Sequence, residues 1–249
     1  MSDWKQIAYR DTVLVLGKRI EQREMLERIC VRPPYFVLHD LVWGGRLLAA
    51  SAVAEAPPGC ERGPMSAAEL GRHAAIAGLS RAALAQGDGA RRYYLARKAA
   101  CTYHTAQPPF GSVVSFESEL VALDKRYAQA HVEAYAAEMH LASFDISYAV
   151  LTEATFGRLF QHRRVAGGGV WCDSPYRSPL GSALERGESW AEQRFTVTPE
   201  ICAGHFEQYP ALPVAVLMGQ LSYLAGRLVV PEGSSYRVLE GQIEASDLC

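Results

Sequence analysis

Between Arg92 and Leu151, apolar, small and aromatic residues recur at every second position, and short polar turns interrupt them. That period is the one a half-buried strand requires. The spacing therefore predicts successive strands over Arg92–Tyr103, Ser112–Leu123, Tyr127–Glu138 and Leu141–Leu151. Tyrosines and valines support sheet, although alanines draw Tyr127–Glu138 towards helix. Upstream the pattern changes. Pro64-Met65-Ser66-Ala67-Ala68-Glu69, with proline and acid in its first turn, reads as a helix start; Leu70, His73, Ile76, Leu79 and Leu84 carry the helix on to Gly87-Asp88-Gly89.

The flanks are shorter. Thr12–Leu16 reads as a strand, Glu21–Cys30 as a short helix closed by Pro33-Pro34, and Tyr35–Glu55 as a strand or a hairpin bent at Gly44-Gly45. After the four strands, Thr152–Gln161 suits a short helix, and Gly167-Gly168-Gly169 suits a linker. Trp171–Glu188 is irregular, and Phe195-Thr196-Val197 reads as a strand. A second small-residue helix follows Pro213 over Val214–Val230, and Tyr236–Glu244 reads as a last strand.

The two helices look alike. Gly71-Arg72-His73-Ala74-Ala75-Ile76-Ala77-Gly78 and Gly219-Gln220-Leu221-Ser222-Tyr223-Leu224-Ala225-Gly226 share their glycine spacing, and a proline precedes each block. The shared order of turn, proline, helix and strand suggests two related halves, near residues 1–160 and 165–249.

Composition narrows the function classes. With 249 residues, 49% of them hydrophobic, the chain is long enough for one large domain or two smaller ones. A formal charge of -2 gives no footprint for nucleic acid or an anionic membrane. Six scattered cysteines without a C-x-x-C pair suit reduced thiols, no secretion signal is recognisable, and no apolar run reaches the roughly 18 residues of a membrane helix. A cytoplasmic protein is expected. The histidines show no metal-ligand spacing, so no metal is expected. Arg91-Arg92 and Arg97-Lys98 beside Tyr93-Tyr94 form a basic spot suited either to a phosphate or to a solvated strand edge.

The chemistry concentrates in Gly204-His205-Phe206, Pro210 and Pro213, followed by Val216-Leu217-Met218 and the helix to Gly226. This stretch resembles the hot-dog-fold 3-hydroxyacyl-thioester dehydratases of fatty-acid and polyketide synthesis. The resemblance implies an α+β double hot dog, in which long helices are each wrapped by an antiparallel sheet; the second half departs from that pattern in having only the strand Tyr236–Glu244 after its helix, as in an incomplete or degenerate unit or one whose sheet another copy completes. It implies His205 as the base beside the thioester carbonyl, and Val214 where the family has glycine. It also implies a substrate carried on the phosphopantetheine of an acyl carrier protein or on coenzyme A, no other cofactor, and a homodimer or synthase partner.

The sequence departs from the family at the helix acid, whose position falls on Gly219 and, through the repeat, on Gly71. Glu69 and His73 are the nearby polar groups that could complete a composite site with His205. Each is two residues from Gly71, which is about 200° of helix rotation. Gln220 and Tyr223 are candidates to line an acyl tunnel. Three functions stay open: dehydration, thioester hydrolysis with Glu69 activating water, and acyl binding without turnover.

Overall fold

A computed structural model describes residues 17–57, 59–104, 108–165, 174–177, 184–206, 208–231 and 233–246. The segments read as strand Thr12–Leu16 and linker Gly167–Gly169 lie outside the described residues.

At the centre is helix α2 (Ala67–Ala85), preceded by the short α1 (Gln22–Leu26). Ser66 caps α2 by accepting from the Glu69 N–H at 3.2 Å. An antiparallel sheet curls around α2. Its strands are β1 (Lys18–Arg19), β2 (His39–Trp43), β3 (Leu47–Ala52), β4 (Arg92–Tyr103), β5 (Val114–Leu123), β6 (Tyr127–Ala136), β7 (Met139–Thr152) and the late β10 (Glu240–Glu244). Their order across the sheet is β1-β2-β3-β5-β6-β7-β4-β10. The period-two reading is confirmed side chain by side chain. Ala128, Ala130, Val132, Ala134 and Ala136 of β6, with Phe144, Ile146 and Tyr148 of β7, all turn inward and are buried. The small residues of α2 let the sheet approach. A Cβ at Gly78 would run into the Tyr148 hydroxyl, which donates to the Ala75 carbonyl at 2.9 Å.

The hairpin β2–β3 turns at Gly45, whose φ of 77° favours glycine, and buried Arg81 ties that turn to α2 by donating to the Gly45 and Arg46 carbonyls. After β7 come α3 (Glu153–Leu159) and a two-strand ladder of β8 (Glu185–Arg186) and β9 (Ala191–Glu192). The strand expected at Phe195–Val197 does not form. These residues join no ladder, and a strand without a partner edge is not stable.

The second long helix forms as α4 (Val214–Val229) and lies against α2, where a Cβ at Gly219 would meet the Ala68 Cβ at 3.5 Å. Among the described residues α4 has no sheet of its own. Instead β10 runs back onto β4, pairing Glu240 with Thr102 through Glu244 with Lys98. This pairing satisfies an edge of β4 that would otherwise be bare. The class is α+β, and the arrangement of a helix wrapped by an antiparallel sheet is that of a hot dog. Among the described residues no helix is long and apolar enough to cross a membrane.

Candidate functional site

A cavity of about 340 Å³ lies where α2, β4, β7 and α4 meet. Its walls are mainly apolar, with Gly71, Ala75 and Leu79 from α2, Ile146 from β7, and Val214 and Met218 from α4. Residues at i, i+4 and i+8 share a helix face, which explains both stripes: Gly71, Ala75 and Leu79 on one helix, Val214, Met218 and Ser222 on the other.

His205 stands in the wall of this cavity. Its position is fixed by backbone on one side and by aromatics on the other. Gly204, at φ 74°, accepts from the Arg32 N–H at 2.8 Å, and a Cβ there would collide with the Arg32 carbonyl, so this position needs glycine. Phe206 is buried and packs edge-on against the rings of Tyr93 and Phe156, which stack on each other at 3.6 Å. The His205 Nδ1 lies 2.9 Å from the Ala211 carbonyl oxygen. A carbonyl only accepts, so Nδ1 carries the hydrogen and Nε2 keeps its lone pair. Burial pushes the His205 pKa down to about 4, while the Ala211 bond opposes the shift; the ring is neutral at pH 7.

Beside it stands a buried polar cluster. The Tyr35 ring lies 5.0 Å from that of His205, and burial pushes its hydroxyl up to about 12, which keeps it protonated. The Arg72 guanidinium sits 5.3 Å from the Tyr35 ring centre and 5.1 Å from that of Tyr176. Arg72 pairs with Glu55, whose other oxygen accepts from the Ser174 hydroxyl at 2.9 Å. The sequence reading missed this cluster. The available signal was an arginine inside a run of small and apolar residues, next to Gly71.

The structure brings His205, Val214 and Gly71 together at the cavity, with Tyr94, Arg97 and Lys98 of the basic spot also in its wall, and leaves Glu69, His73, Gly219, Gln220 and Tyr223 outside its lining. Glu69 accepts from the Glu55 N–H at 2.6 Å and lies 3.6 Å from His73 Nε2. His73 is fully buried edge-on to Phe116, and burial lowers its pKa. The rotation of about 200° that separates both from Gly71 carries them off the cavity face of α2. Gly219 spaces the helices. Gln220 and the half-exposed Tyr223 fall out of phase with the Val214, Met218 and Ser222 stripe. In the basic spot, Arg92 is paired with Asp88 and Lys98 with Glu244. Among the described residues no group of three or more His, Cys, Asp or Glu could hold a metal ion.

No protein-family model and no curated protein matches the chain. Several solved structures resemble it. The dehydratase heterocomplex ApeI:P from Xenorhabdus doucetiae has a TM-score of 0.44 and 10% identity, covering 54% of this chain and 95% of that one. The fluoroacetyl-CoA thioesterase FlK has a TM-score of 0.39 and 18% identity, covering 49% and 96%. A hypothetical thioesterase with coenzyme A from Streptococcus pneumoniae has a TM-score of 0.34 and 12% identity, covering 42% and 81%.

Proposed function

We propose that the cavity receives the acyl chain of a thioester, carried on coenzyme A or on an acyl carrier protein, and that His205 acts at the carbon beside the thioester carbonyl. One observation carries this reading: a neutral histidine, held in one tautomer by Ala211, stands in the wall of an apolar cavity of about 340 Å³. That volume is within the range of small-ligand sites, and the apolar walls suit a hydrocarbon chain.

The preferred reaction is dehydration of a 3-hydroxyacyl thioester. The His205 Nε2 takes a proton from the α carbon, and the bond from carbon to the 3-hydroxyl breaks. The hydroxyl leaves as water once it is protonated, giving an enoyl thioester. Gly71 offers no acid, so the groups at hand to return the proton are the imidazolium formed in the first step and the carboxyl group of Glu240, which also lines the cavity. Glu69 and His73 would act only through Arg72, whose Nη2 lies 4.0 Å from the Glu69 carboxylate and 3.4 Å from His73 Nε2.

Gly71 also supports a second reading, in which the chain binds acyl thioesters without turning them over. Incubation with 3-hydroxyacyl and saturated acyl thioesters separates the outcomes. Enoyl product means dehydration, thiol release from the saturated substrate means hydrolysis, and binding without either means a carrier. Replacing His205→Ala should abolish turnover; an unchanged rate would sink the assignment of His205.

A further inference from the structure

Tyr35 borders the same cavity as His205. The backbone brings the two together: Val31 pairs with His205 in an isolated antiparallel bridge, and the Phe36 N–H donates to the Arg32 carbonyl at 2.9 Å, closing the turn that carries Tyr35. Tyr35 is only 7% exposed, and its ring is packed by the Tyr176 ring at 5.2 Å, the Arg72 guanidinium at 5.3 Å and the imidazole at 5.0 Å. Its hydroxyl has no hydrogen-bond partner among the described residues, yet, unlike that of Tyr94, it keeps accessible surface. The same holds for the His205 Nε2, because the Ala211 bond occupies only Nδ1.

One wall of the cavity therefore presents a donor and an acceptor that the protein itself leaves unsatisfied. Polar groups this deep are normally paired, so a ligand is the partner they lack. Burial keeps the phenol protonated at pH 7, which makes it the donor, and the neutral imidazole is the acceptor. A ligand that meets both must offer an acceptor atom to Tyr35 and an acidic hydrogen to Nε2, and the 5.0 Å between the rings lets one functional group span them. A thioester carbonyl and the hydrogen on its α carbon are such a pair. A free carboxylate is not, since it has no comparably acidic hydrogen and brings a charge against apolar walls. Arg72 favours the carbonyl over the 3-hydroxyl. Its cation beside Tyr35 stabilises negative charge at that end of the group, and the carbonyl oxygen is where charge collects as the α hydrogen is drawn to Nε2.

Building on the proposed acyl-thioester site, we infer that the Tyr35 hydroxyl donates a hydrogen bond to the thioester carbonyl, a binding role that aims the α carbon at His205. Tyr35 therefore distinguishes thioesters from ligands of the same chain length that lack the carbonyl.

The test compares binding of an acyl-coenzyme A thioester with that of its thioether analogue, which keeps the chain and carrier but has no carbonyl oxygen. Wild-type protein should bind the thioester roughly two- to tenfold more tightly, the range for one net hydrogen bond. Tyr35→Phe removes a single oxygen and keeps the ring against Arg72 and His205, and it should bind both ligands equally. Lost packing alone would weaken both ligands and leave their ratio unchanged. The infrared stretch of an isotope-labelled thioester carbonyl gives a second readout: it should fall on binding to the wild type and return towards its free value in Tyr35→Phe. A thioester preference of wild-type size in Tyr35→Phe, or a wild type that does not distinguish the two ligands, overturns the role of Tyr35 and leaves the acyl-thioester reading standing. Failure of the wild type to bind either ligand overturns both.

Discussion

The Nδ1 of His205 and the carbonyl oxygen of Ala211 are 2.9 Å apart, so the turn between Phe206 and Pro210 ties the imidazole to its own following backbone. That contact decides which nitrogen can act as a base. Burial decides when it can, because the ring stays unprotonated down to about pH 4.

The pH dependence follows from this depression. A folded-state pKa of about 4, against the ordinary 6.5, means that the unfolded chain binds more protons between those values. Stability from His205 is therefore complete above about pH 6.5 and is lost as pH falls towards 4. His205→Gln should flatten this part of the stability curve by about 1–3 kcal/mol, read from urea midpoints between pH 7 and 4. His73, also lowered by burial, is present in both proteins and cancels in the comparison. If the reaction depends on His205, its rate should hold steady from pH 7 to about 5.

Gly71 lines the cavity, and a Cβ there would meet only Phe144, at 3.9 Å. Gly71→Asp therefore fits without displacing backbone and puts a carboxyl group into the cavity. Where His205 is the base, the added acid should raise enoyl formation by roughly tenfold or more, because general acids contribute about 10²–10⁴-fold when well placed. The check is the initial rate on a 3-hydroxyacyl thioester, with saturated thioester as the control.

Gly78→Ala should destabilise the fold despite alanine's higher helix propensity. The new methyl would displace the Tyr148 hydroxyl and press on Ala130, at 3.1 Å, with a cost of about 1–3 kcal/mol for overpacking. Removing the obstructing oxygen by Tyr148→Phe in the same protein should recover part of the loss. Thermal melts of the two single variants and the double measure the coupling.

On the outer face of the sheet, His131 lies 2.7 Å from Glu133 and 2.8 Å from Asp145, and the Glu133 bond chiefly raises its pKa to about 9. The sign is opposite to that of His205. Its stabilisation is complete below about pH 6.5 and is lost as pH rises through 9. Its side chain is 38% exposed, so screening limits the effect to under about 1 kcal/mol. Titration of the ring by NMR should give the raised midpoint, and Glu133→Gln should lower it.

The sheet was legible in the sequence because period two is a local signal. The bounds of β4 match the residues 92–103 read from alternation, and β6 is strand although its alanines suggested helix. There the register against β5 and β7 outweighed propensity. Helix phase was less legible. The face of each helix that lines the cavity is set by rotation, which proximity to Gly71 or Gly219 in the chain does not fix, and Glu69, His73, Gln220 and Tyr223 lie off that face. Arg72 was hidden because its partners, Glu55, Tyr35 and Tyr176, come from distant segments. The pairing of β10 with β4 depends on contacts between remote parts of the chain, which alternation cannot report.

That last pairing sets an order of assembly. The β5–β6–β7 meander joins neighbours in sequence and can close early, whereas β4 receives β10 only after residues 240–244 have left the ribosome. Until then one edge of β4 is open to pairing with other chains, and the wall of the cavity beside it is wet. The cavity wall is thus completed only once β10 has been made and has reached β4.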